Sequence, residues 1–203
     1  MKLVVGLGNP GKEYEGSRHN IGFRIVNYLS NEYGGDFNLD KKSNSEVSEI
    51  KINPVRSREG SQRASASNGV NSQKVLLAKP QTFVNKSGEA VKKLAKSYKL
   101  KPGSLIIIHD DLDIPFGRVK TSFGRSSAGH KGVESIIKAL KTDKFYRIRI
   151  GTFGNHLAKI RKIKDKRKRL NEMNKFVIGP FGPSEKPKLN KLIETAVEKV
   201  LQL

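Results

Sequence analysis

SLIIIHDDLD, residues 104–113, joins the most apolar run of the chain to a group of carboxylates. Consecutive aliphatic residues predict a strand that is buried on both faces of a sheet. The polar residues begin at His109 and Asp110, where that strand is predicted to end. In an open α/β sheet, ligands bind beyond the carboxyl ends of the strands. The stretch therefore predicts an α/β fold with polar functional groups at one edge of its sheet.

Strand and helix patterns alternate along the rest of the chain. Further strands are predicted at residues 2–7, 46–53, 74–80, 117–124 and 145–151. Helical periodicity predicts helices from 21 to about 34, at 87–100 and 130–140, and from 184 onward. This alternation is typical of a single α/β domain with a twisted mixed sheet and helices on both faces. We expect one such domain over residues 1–203.

Two segments differ in composition from the rest of the chain, and we expect both to be flexible insertions. Residues 54–73 are rich in Ser, Asn, Gly and Arg and lie between two predicted strands. Residues 155–172 include KIRKIKDKRKR (159–169), with eight basic residues and one acidic residue. Blocks of like charge repel one another and tend to disorder. The run at 159–169 is therefore either a solvated loop or a flexible arm that binds phosphate.

The chain is strongly basic, with 40 Lys and Arg against 19 Asp and Glu, a formal charge of +21 and a pI near 10.2. A polyanionic partner explains this excess, and nucleic acid is favoured over an anionic membrane; the alternative is a generally lysine-rich composition. The absence of cysteine excludes disulfides and thiolate metal sites. Since the apolar runs are too short for a signal peptide or a membrane span, we expect a cytoplasmic enzyme or RNA-binding protein.

GLGNPG, residues 6–11, matches the G-x-G-x-x-G pattern that follows a strand in dinucleotide-binding proteins. That pattern functions only where a helix begins within it, so that the helix N-terminus meets the pyrophosphate. Here helical periodicity starts only near residue 20. We therefore interpret the segment as a rigid turn that presents Asn9 at the carboxyl end of a strand.

Polar side chains also follow other predicted strands or precede helices, at His19-Asn20, Asn85, His109-Asp110 and His130-Lys131. Taken singly, such a histidine is more often structural, and such an asparagine more often caps a helix or a turn. Taken together and in order, their segments resemble the bacterial-type peptidyl-tRNA hydrolase family. The matching stretches are VVGLGNPGKEYEGSRHNIGF, KPQTFVNKSGEAV, IIIHDDLDIPFGRVK, AGHKGVESII and FYRIRIG, which span most of residues 1–151.

The resemblance implies an esterase that cuts the bond between a peptide and the 3′ ribose of tRNA. It assigns His19 as the base that takes a proton from the attacking water, and Asp110 as the carboxylate that orients this imidazole. It implies no metal and no cofactor. It further implies a monomer that needs no obligate protein partner and no membrane.

The resemblance also assigns residues to substrate binding. Asn9 and Asn85 would hold the peptide end and the water, with Asn85 as the better candidate for steadying the oxyanion. His130 lies in the loop that the family uses at the 3′ end of the substrate, and Arg149 matches a position that contacts tRNA phosphate. We also expect Tyr14, Phe83 and Lys131 to contact the substrate, and Lys120 and Arg125 to contact tRNA phosphates.

Three positions depart from the family pattern. Lys131 stands where the family usually has Asn, Val84 where it has Met, and Ser122 where it has a phosphate-binding Lys. We expect Lys120, Arg125 or the basic run at 159–169 to replace the missing lysine.

Two other functions remain open from the residues themselves. Asp110, Asp111 and Asp113 follow a buried strand, as do the ligands of a Mg²⁺-dependent phosphoesterase. The basic composition alone fits a non-catalytic RNA-binding protein equally well.

Overall fold

Seven strands form one mixed sheet in the part of the chain that this computed structural model describes, residues 1–52 and 72–203. They are β1 (Lys2–Gly6), β2 (Asn38–Asp40), β3 (Ser45–Ile52), β4 (Gln73–Pro80), β5 (Leu105–Pro115), β6 (Val119–Phe123) and β7 (Tyr146–Phe153). Their order is β2-β3-β4-β1-β5-β7-β6. The four central strands, β4-β1-β5-β7, are parallel, and the outer strands pair antiparallel.

Six α-helices accompany this sheet within the same residues. They are α1 (Ile21–Glu32), α2 (Ser87–Ser97), α3 (Lys131–Leu140), α4 (Asn155–Arg161), α5 (Lys166–Ile178) and α6 (Lys186–Leu201). One core cluster joins α1 and α6 to one face of the sheet, and a second joins α2 and α3 to the other face. The predicted α/β class with a mixed sheet and two helix layers is confirmed.

The central strands are continuously apolar because both of their faces are covered. In β5, Ile106 and Ile108 pack toward α1 and α6, whereas Leu105 and Ile107 pack toward α2 and α3. All four are at most 1% exposed. The apolar run of the strand therefore ends at its first buried polar residues, His109 and Asp110. The prediction that the strand itself ends there was wrong, because β5 stays paired with β7 beyond them and continues to Pro115.

Residues 155–172, predicted to be a flexible insertion, contain α4 and the first half of α5. Apolar residues in and beside the basic run recur at a helical spacing, and they form a third apolar cluster around Leu157, Ile160 and Phe176. Asp165 caps α5, since its Oδ1 accepts from Lys168 N at 2.6 Å. Most of the run at 159–169 is therefore helical rather than a loop, and the flexibility of the segment in solution stays a prediction. The predicted insertion at 54–73 falls on residues 54–71 outside the described part, while Gln73 begins β4.

Glycine brings α1 directly onto the sheet beneath the site. A Cβ on Gly22 would lie 2.4 Å from Leu7 N and 2.5 Å from Ile108 O, and one on Gly6 would lie 2.2 Å from Gly22 O. Because these neighbours are backbone atoms, no side-chain movement could make room. The start of α1, and with it the preceding turn Arg18–Asn20, is thereby held against the carboxyl ends of β1 and β5.

None of the helices in the described part of the chain has the length and apolar character needed to cross a membrane.

Candidate active site

The buried carboxylate of Asp110 joins two histidines in β5, directly after the apolar run of the strand. Its Oδ1 lies 2.7 Å from His19 Nδ1 and 3.1 Å from His130 Nε2. Asp110 is 1% exposed, whereas the side chains of His19 and His130 are 15% and 10% exposed. Three segments that are distant in sequence therefore meet at one carboxylate oxygen.

Hydrogen bonds determine which ring nitrogens carry protons. His130 precedes α3, and its Nδ1 accepts from Val133 N at 3.3 Å, so its Nε2–H is the group that donates to Asp110. His19 likewise donates its Nδ1–H to the carboxylate, which leaves the lone pair on Nε2. His19 thus has the tautomer that a general base requires.

His19 and Asp110 shift each other's pKa in opposite directions. Burial lowers the pKa of the His19 imidazole, but the charge and hydrogen bond of Asp110 outweigh burial, so the pKa lies above its ordinary value. Burial would raise the pKa of the Asp110 carboxyl, but His19 and His130 hold it far below its ordinary value. Asp110 therefore stays ionised and favours the protonated form of His19.

His109 lies beneath this cluster and is fully buried. Its Nδ1 donates to Asp110 O at 2.6 Å, and its ring packs edge-on against His130 with centroids 4.5 Å apart. Burial and the neighbouring His130 place its pKa well below the ordinary value. His109 is therefore a neutral support under the site.

Asn9 is clamped in place by three hydrogen bonds. Its backbone N donates to Asn20 Oδ1, its backbone O accepts from Asn20 Nδ2, and its side-chain Oδ1 accepts from Val84 N, each at 2.9 Å. The predicted rigid presentation of Asn9 agrees with this geometry. Because Oδ1 is occupied, Nδ2 is the group that Asn9 has left to offer a ligand.

The bond from Val84 places the turn Val84–Lys86 beside Asn9. Asn85 is exposed on this turn, and Phe83 before it is 55% exposed and meets Tyr14 edge-on at 6.4 Å between centroids. Asn85 lines a shallow groove next to the His19 cavity rather than the cavity itself, and Lys131 lines both.

A cavity of about 250 Å³ opens beside His19. Its polar side includes His19, Asp110, His130 and Lys131, and its apolar side includes Leu170, Met173 and Val177 of α5. Sequence reasoning missed this wall of α5, although the spacing of its apolar residues was the available signal. It also missed the role of Asn20, for which the sequence offers no signal, because the clamp forms only in the folded chain.

The other two carboxylates of β5, Asp111 and Asp113, each have a cationic partner. Asp111 Oδ2 accepts a hydrogen bond from Arg149 Nε at 2.8 Å, and Asp111 Oδ1 accepts one from Asp113 N at 2.9 Å. The Asp113 carboxylate forms an ion pair with Arg161 at 2.6 Å. A shift of register between Asp111 and Pro115 turns the end of β5 toward α4. Since the carboxylates point to separate partners, they do not form the ligand set of a Mg²⁺ site.

In the described part of the chain, one group of three side chains has metal-ligand spacing: His19, Asp110 and His130, with ligand atoms within 4.8 Å of one another. A metal on His130 Nε2 would move the imidazole proton to Nδ1, where it would oppose Val133 N–H. The observed hydrogen bond of His130 Nδ1 therefore disfavours a metal ion at its Nε2.

The basic residues predicted to meet tRNA lie on neighbouring elements. Lys120 of β6 is directly opposite Arg149 of β7, and both Lys120 and Arg125 are exposed. Ser122, on the same strand as Lys120, is partly buried. Lys131 is 74% exposed at the start of α3 and lies 3.5 Å from Glu134.

The chain matches the model of one protein family, described as peptidyl-tRNA hydrolase, over residues 3–203. The peptidyl-tRNA hydrolase of Dehalococcoides mccartyi (strain BAV1) is 39% identical over 202 residues, an alignment that covers 100% of this chain and 90% of that protein. The peptidyl-tRNA hydrolase of Aquifex aeolicus is 37% identical over 202 residues, which covers 100% of this chain and 89% of that protein. The crystal structure of peptidyl-tRNA hydrolase from Acinetobacter baumannii is similar with a TM-score of 0.77 and 28% identity, over 98% of this chain and 86% of that one.

Proposed function

The chain belongs to the peptidyl-tRNA hydrolase family, and from this premise we propose that it hydrolyses the ester between the peptide and the 3′ ribose of peptidyl-tRNA. The products are free tRNA and a free peptide. We further propose that His19 is the general base and that Asp110 orients it.

One observation carries this assignment: the Nε2 lone pair of His19 is left available at a cavity, because Nδ1–H is bound to the buried, ionised Asp110. Water is a poor nucleophile toward an ester until a base removes its proton in the transition state. His19 supplies that base, and Asp110 stabilises the imidazolium that forms.

The proton can be followed through the reaction. His19 Nε2 takes a proton from water while the water oxygen bonds to the ester carbonyl carbon, which gives a tetrahedral oxyanion. When the bond to the ribose oxygen breaks, the imidazolium returns the proton to that oxygen. His19 is thereby neutral again, and no covalent enzyme intermediate is needed.

We propose that two side-chain amides, of Asn9 and Asn85, stabilise the oxyanion and hold the substrate. Asn9 offers Nδ2 as a donor, while its Oδ1 accepts from Val84 N. Asn85 lies on the adjoining turn and remains our candidate for the oxyanion donor, for which one amide is worth about 3 kcal/mol. We propose four further substrate contacts: Tyr14 and Phe83, whose rings meet edge-on, His130 in the cavity, and Lys131, which lines both the cavity and the groove of Asn85.

For the tRNA, we propose phosphate contacts from Lys120, Arg125 and Arg149. Arg149 uses Nε for its bond to Asp111. Its terminal nitrogens make no hydrogen bond within residues 1–52 and 72–203, so they can serve a phosphate. The overall charge of +21 supports binding to a polyanion.

We also propose that the enzyme acts as a monomer in the cytoplasm. The absence of cysteine suits a compartment in which disulfides do not form. Light scattering on the purified chain should give a mass close to 22.6 kDa.

An experiment separates this proposal from the two alternatives. N-blocked aminoacyl-tRNA is incubated with the wild-type protein and with His19→Ala, each in buffer with and without excess EDTA. Ester cleavage that persists in EDTA and is lost in His19→Ala supports the proposal. Cleavage that EDTA abolishes would instead indicate a Mg²⁺-dependent enzyme, and tight binding without cleavage would indicate an RNA-binding protein.

A further inference from the structure

Arg18, the residue before His19, is a buried cation at the centre of an anchor. Its NH2 donates to Glu185 Oε2 at 2.6 Å, and its NH1 donates to Pro180 O at 2.6 Å and to Phe176 O at 3.3 Å. The guanidinium also lies 4.1 Å from the centroid of the Phe176 ring. Arg18 is only 8% exposed, so its charge is held by the protein rather than by water.

This anchor joins the catalytic turn to the connection between α5 and α6. The last carbonyls of α5 have no partner inside the helix, and the guanidinium supplies donors and positive charge at that end. The main chain adds two further links, since Arg18 N donates to Gly179 O at 3.0 Å and Ser17 forms a β-bridge with Pro180. Glu185 Oε2 also accepts from Gly182 N at 2.6 Å, which holds the carboxylate in position.

The position of Arg18 in the chain makes the anchor relevant to catalysis. Arg18, His19 and Asn20 form a single 3₁₀ turn. Asn20 is held by Asn9 on one side, and Arg18 is held by the α5–α6 connection on the other. His19 lies between them, and its side chain is held by the hydrogen bond to Asp110. The position of the His19 backbone is therefore set by the contacts of Arg18 and Asn20.

We propose that Arg18 is a positioning residue that sets the place of His19 by fixing this turn to the α5–α6 connection. The proposal rests on the function assigned to His19 above. Arg18 does not touch the reacting atoms, because its guanidinium is directed away into the α5–α6 connection. The same contact links His19 to α5, whose residues form the apolar wall of the cavity.

The test uses two conservative variants and a matched control. Arg18→Lys keeps a positive charge but cannot reach Glu185 and the carbonyls at once, since an ammonium is a compact donor. Glu185→Gln keeps the shape of the partner but removes its charge. Lys79→Arg is the control, because Lys79 is also a mostly buried cation with a carboxylate at 2.6 Å, that of Glu46, and an aromatic ring, that of Phe37, at 4.0 Å.

We expect Arg18→Lys to lower kcat about 10- to 100-fold, because a small misplacement of a reacting group has an effect of this size. Glu185→Gln should lower kcat to a smaller degree. KM should change little in both variants, since neither residue binds substrate. The acidic limb of the pH profile should keep its midpoint, because Asp110, rather than Arg18, sets the charge preference of His19. Lys79→Arg should retain wild-type kcat.

Each variant is assayed at a temperature where circular dichroism shows that it is folded. A wild-type kcat in folded Arg18→Lys would overturn the proposal, as would a loss that matches only the unfolded fraction or that appears equally in Lys79→Arg. An inactive wild-type enzyme would instead contradict the proposed function, so the two failures are distinguishable.

Discussion

At the scale of single residues, the site depends on one oxygen atom that serves two histidines. Asp110 Oδ1 accepts from both His19 and His130, and the other nitrogen of His130 is bound by the first turn of α3. Of these two histidines, only His19 keeps a ring nitrogen without a hydrogen bond at the cavity, within residues 1–52 and 72–203. We therefore propose different roles for them although they contact the same carboxylate: His19 exchanges a proton, and His130 holds Asp110 in place.

The pH dependence follows from the charge of Asp110. Only neutral His19 can act as the base, and its pKa is raised by Asp110, so kcat/KM should rise with pH through a midpoint above 6.5, the ordinary pKa of histidine. In Asp110→Asn, the negative charge that raises the pKa of His19 is lost, whereas burial, which lowers this pKa, remains. The midpoint should therefore move to lower pH. In the same variant kcat at the optimum should fall about 10²- to 10⁴-fold, because the imidazolium is no longer supported.

Steady-state kinetics between about pH 5 and pH 9 measure both effects for the wild-type enzyme and Asp110→Asn. A midpoint that stays in place in Asp110→Asn, together with an unchanged kcat, would remove Asp110 from the mechanism.

At the scale of secondary-structure elements, the site is assembled by the contact of α1 with β1 and β5. Gly6 and Gly22 allow helix and strand backbones to touch, and the polar turn before α1 then lies beside the ends of both strands. The register shift at the end of β5 has a related effect, because it directs Leu112 and Asp113 toward α4 and α5. Site residues from distant segments therefore meet because of how elements pack.

Gly22→Ala should disturb both stability and activity. The added methyl would lie within 2.5 Å of Leu7 N and Ile108 O, so α1 must move away from the sheet. We expect the free energy of unfolding to fall by about 1–3 kcal/mol and kcat to fall as His19 shifts with the helix. Gly103→Ala is the control, because nothing lies within 4 Å of a Cβ at that position.

Urea denaturation and kcat measurements on the three proteins test this expectation. If Gly22→Ala is as stable and as active as Gly103→Ala, the close contact does not position the site.

At the scale of the whole molecule, positive charge is concentrated next to the cavity. The basic run at 159–169 lies on α4, on α5 and between them, and the same two helices line the cavity. Two of its arginines have structural partners: Arg161 binds Asp113, and Arg169 donates to Ile163 O at 3.0 Å. We propose that the exposed lysines of the run and Arg167 contact the phosphates of tRNA.

Neutralising that exposed charge should weaken tRNA binding and reduce its dependence on salt. The variant changes Lys162, Lys164, Lys166, Arg167 and Lys168 to Gln, which preserves helix propensity and leaves both structural arginines intact. Each phosphate contact that is lost should lower the slope of log K against log salt by about 0.7–0.9.

The matched control removes five exposed lysines from α2 and the loop after it: Lys92, Lys93, Lys96, Lys99 and Lys101. Both variants lose the same charge, so a general electrostatic effect would change them equally. Fluorescence titration with tRNA over a range of salt measures the slopes, and equal slopes in the two variants would show that the run does not bind phosphate.

The sequence by itself determined six of the seven strands described here, the two main helix layers and the candidate for the catalytic base. Burial can be predicted from the sequence in continuous apolar strands such as Leu105–Ile108 and in amphipathic helices such as α6. In a strand or helix, the position of a residue in the repeat decides whether it faces the core or the solvent. The segments around His19 and Asp110 also identified the family, since their residue types and order are specific. The short edge strand β2 and the helices α4 and α5 escaped prediction because their patterns were brief or masked by charge.

Only the tertiary structure decided how these groups work together. It joined His19 and His130 to the same oxygen of Asp110, clamped Asn9 with Asn20, paired Asp111 with Arg149, and buried Arg18 against the α5–α6 connection. Each of these contacts joins residues at least 11 positions apart. Local propensity carries no information about such pairs, because the packing of helices on the sheet determines which distant polar groups become neighbours.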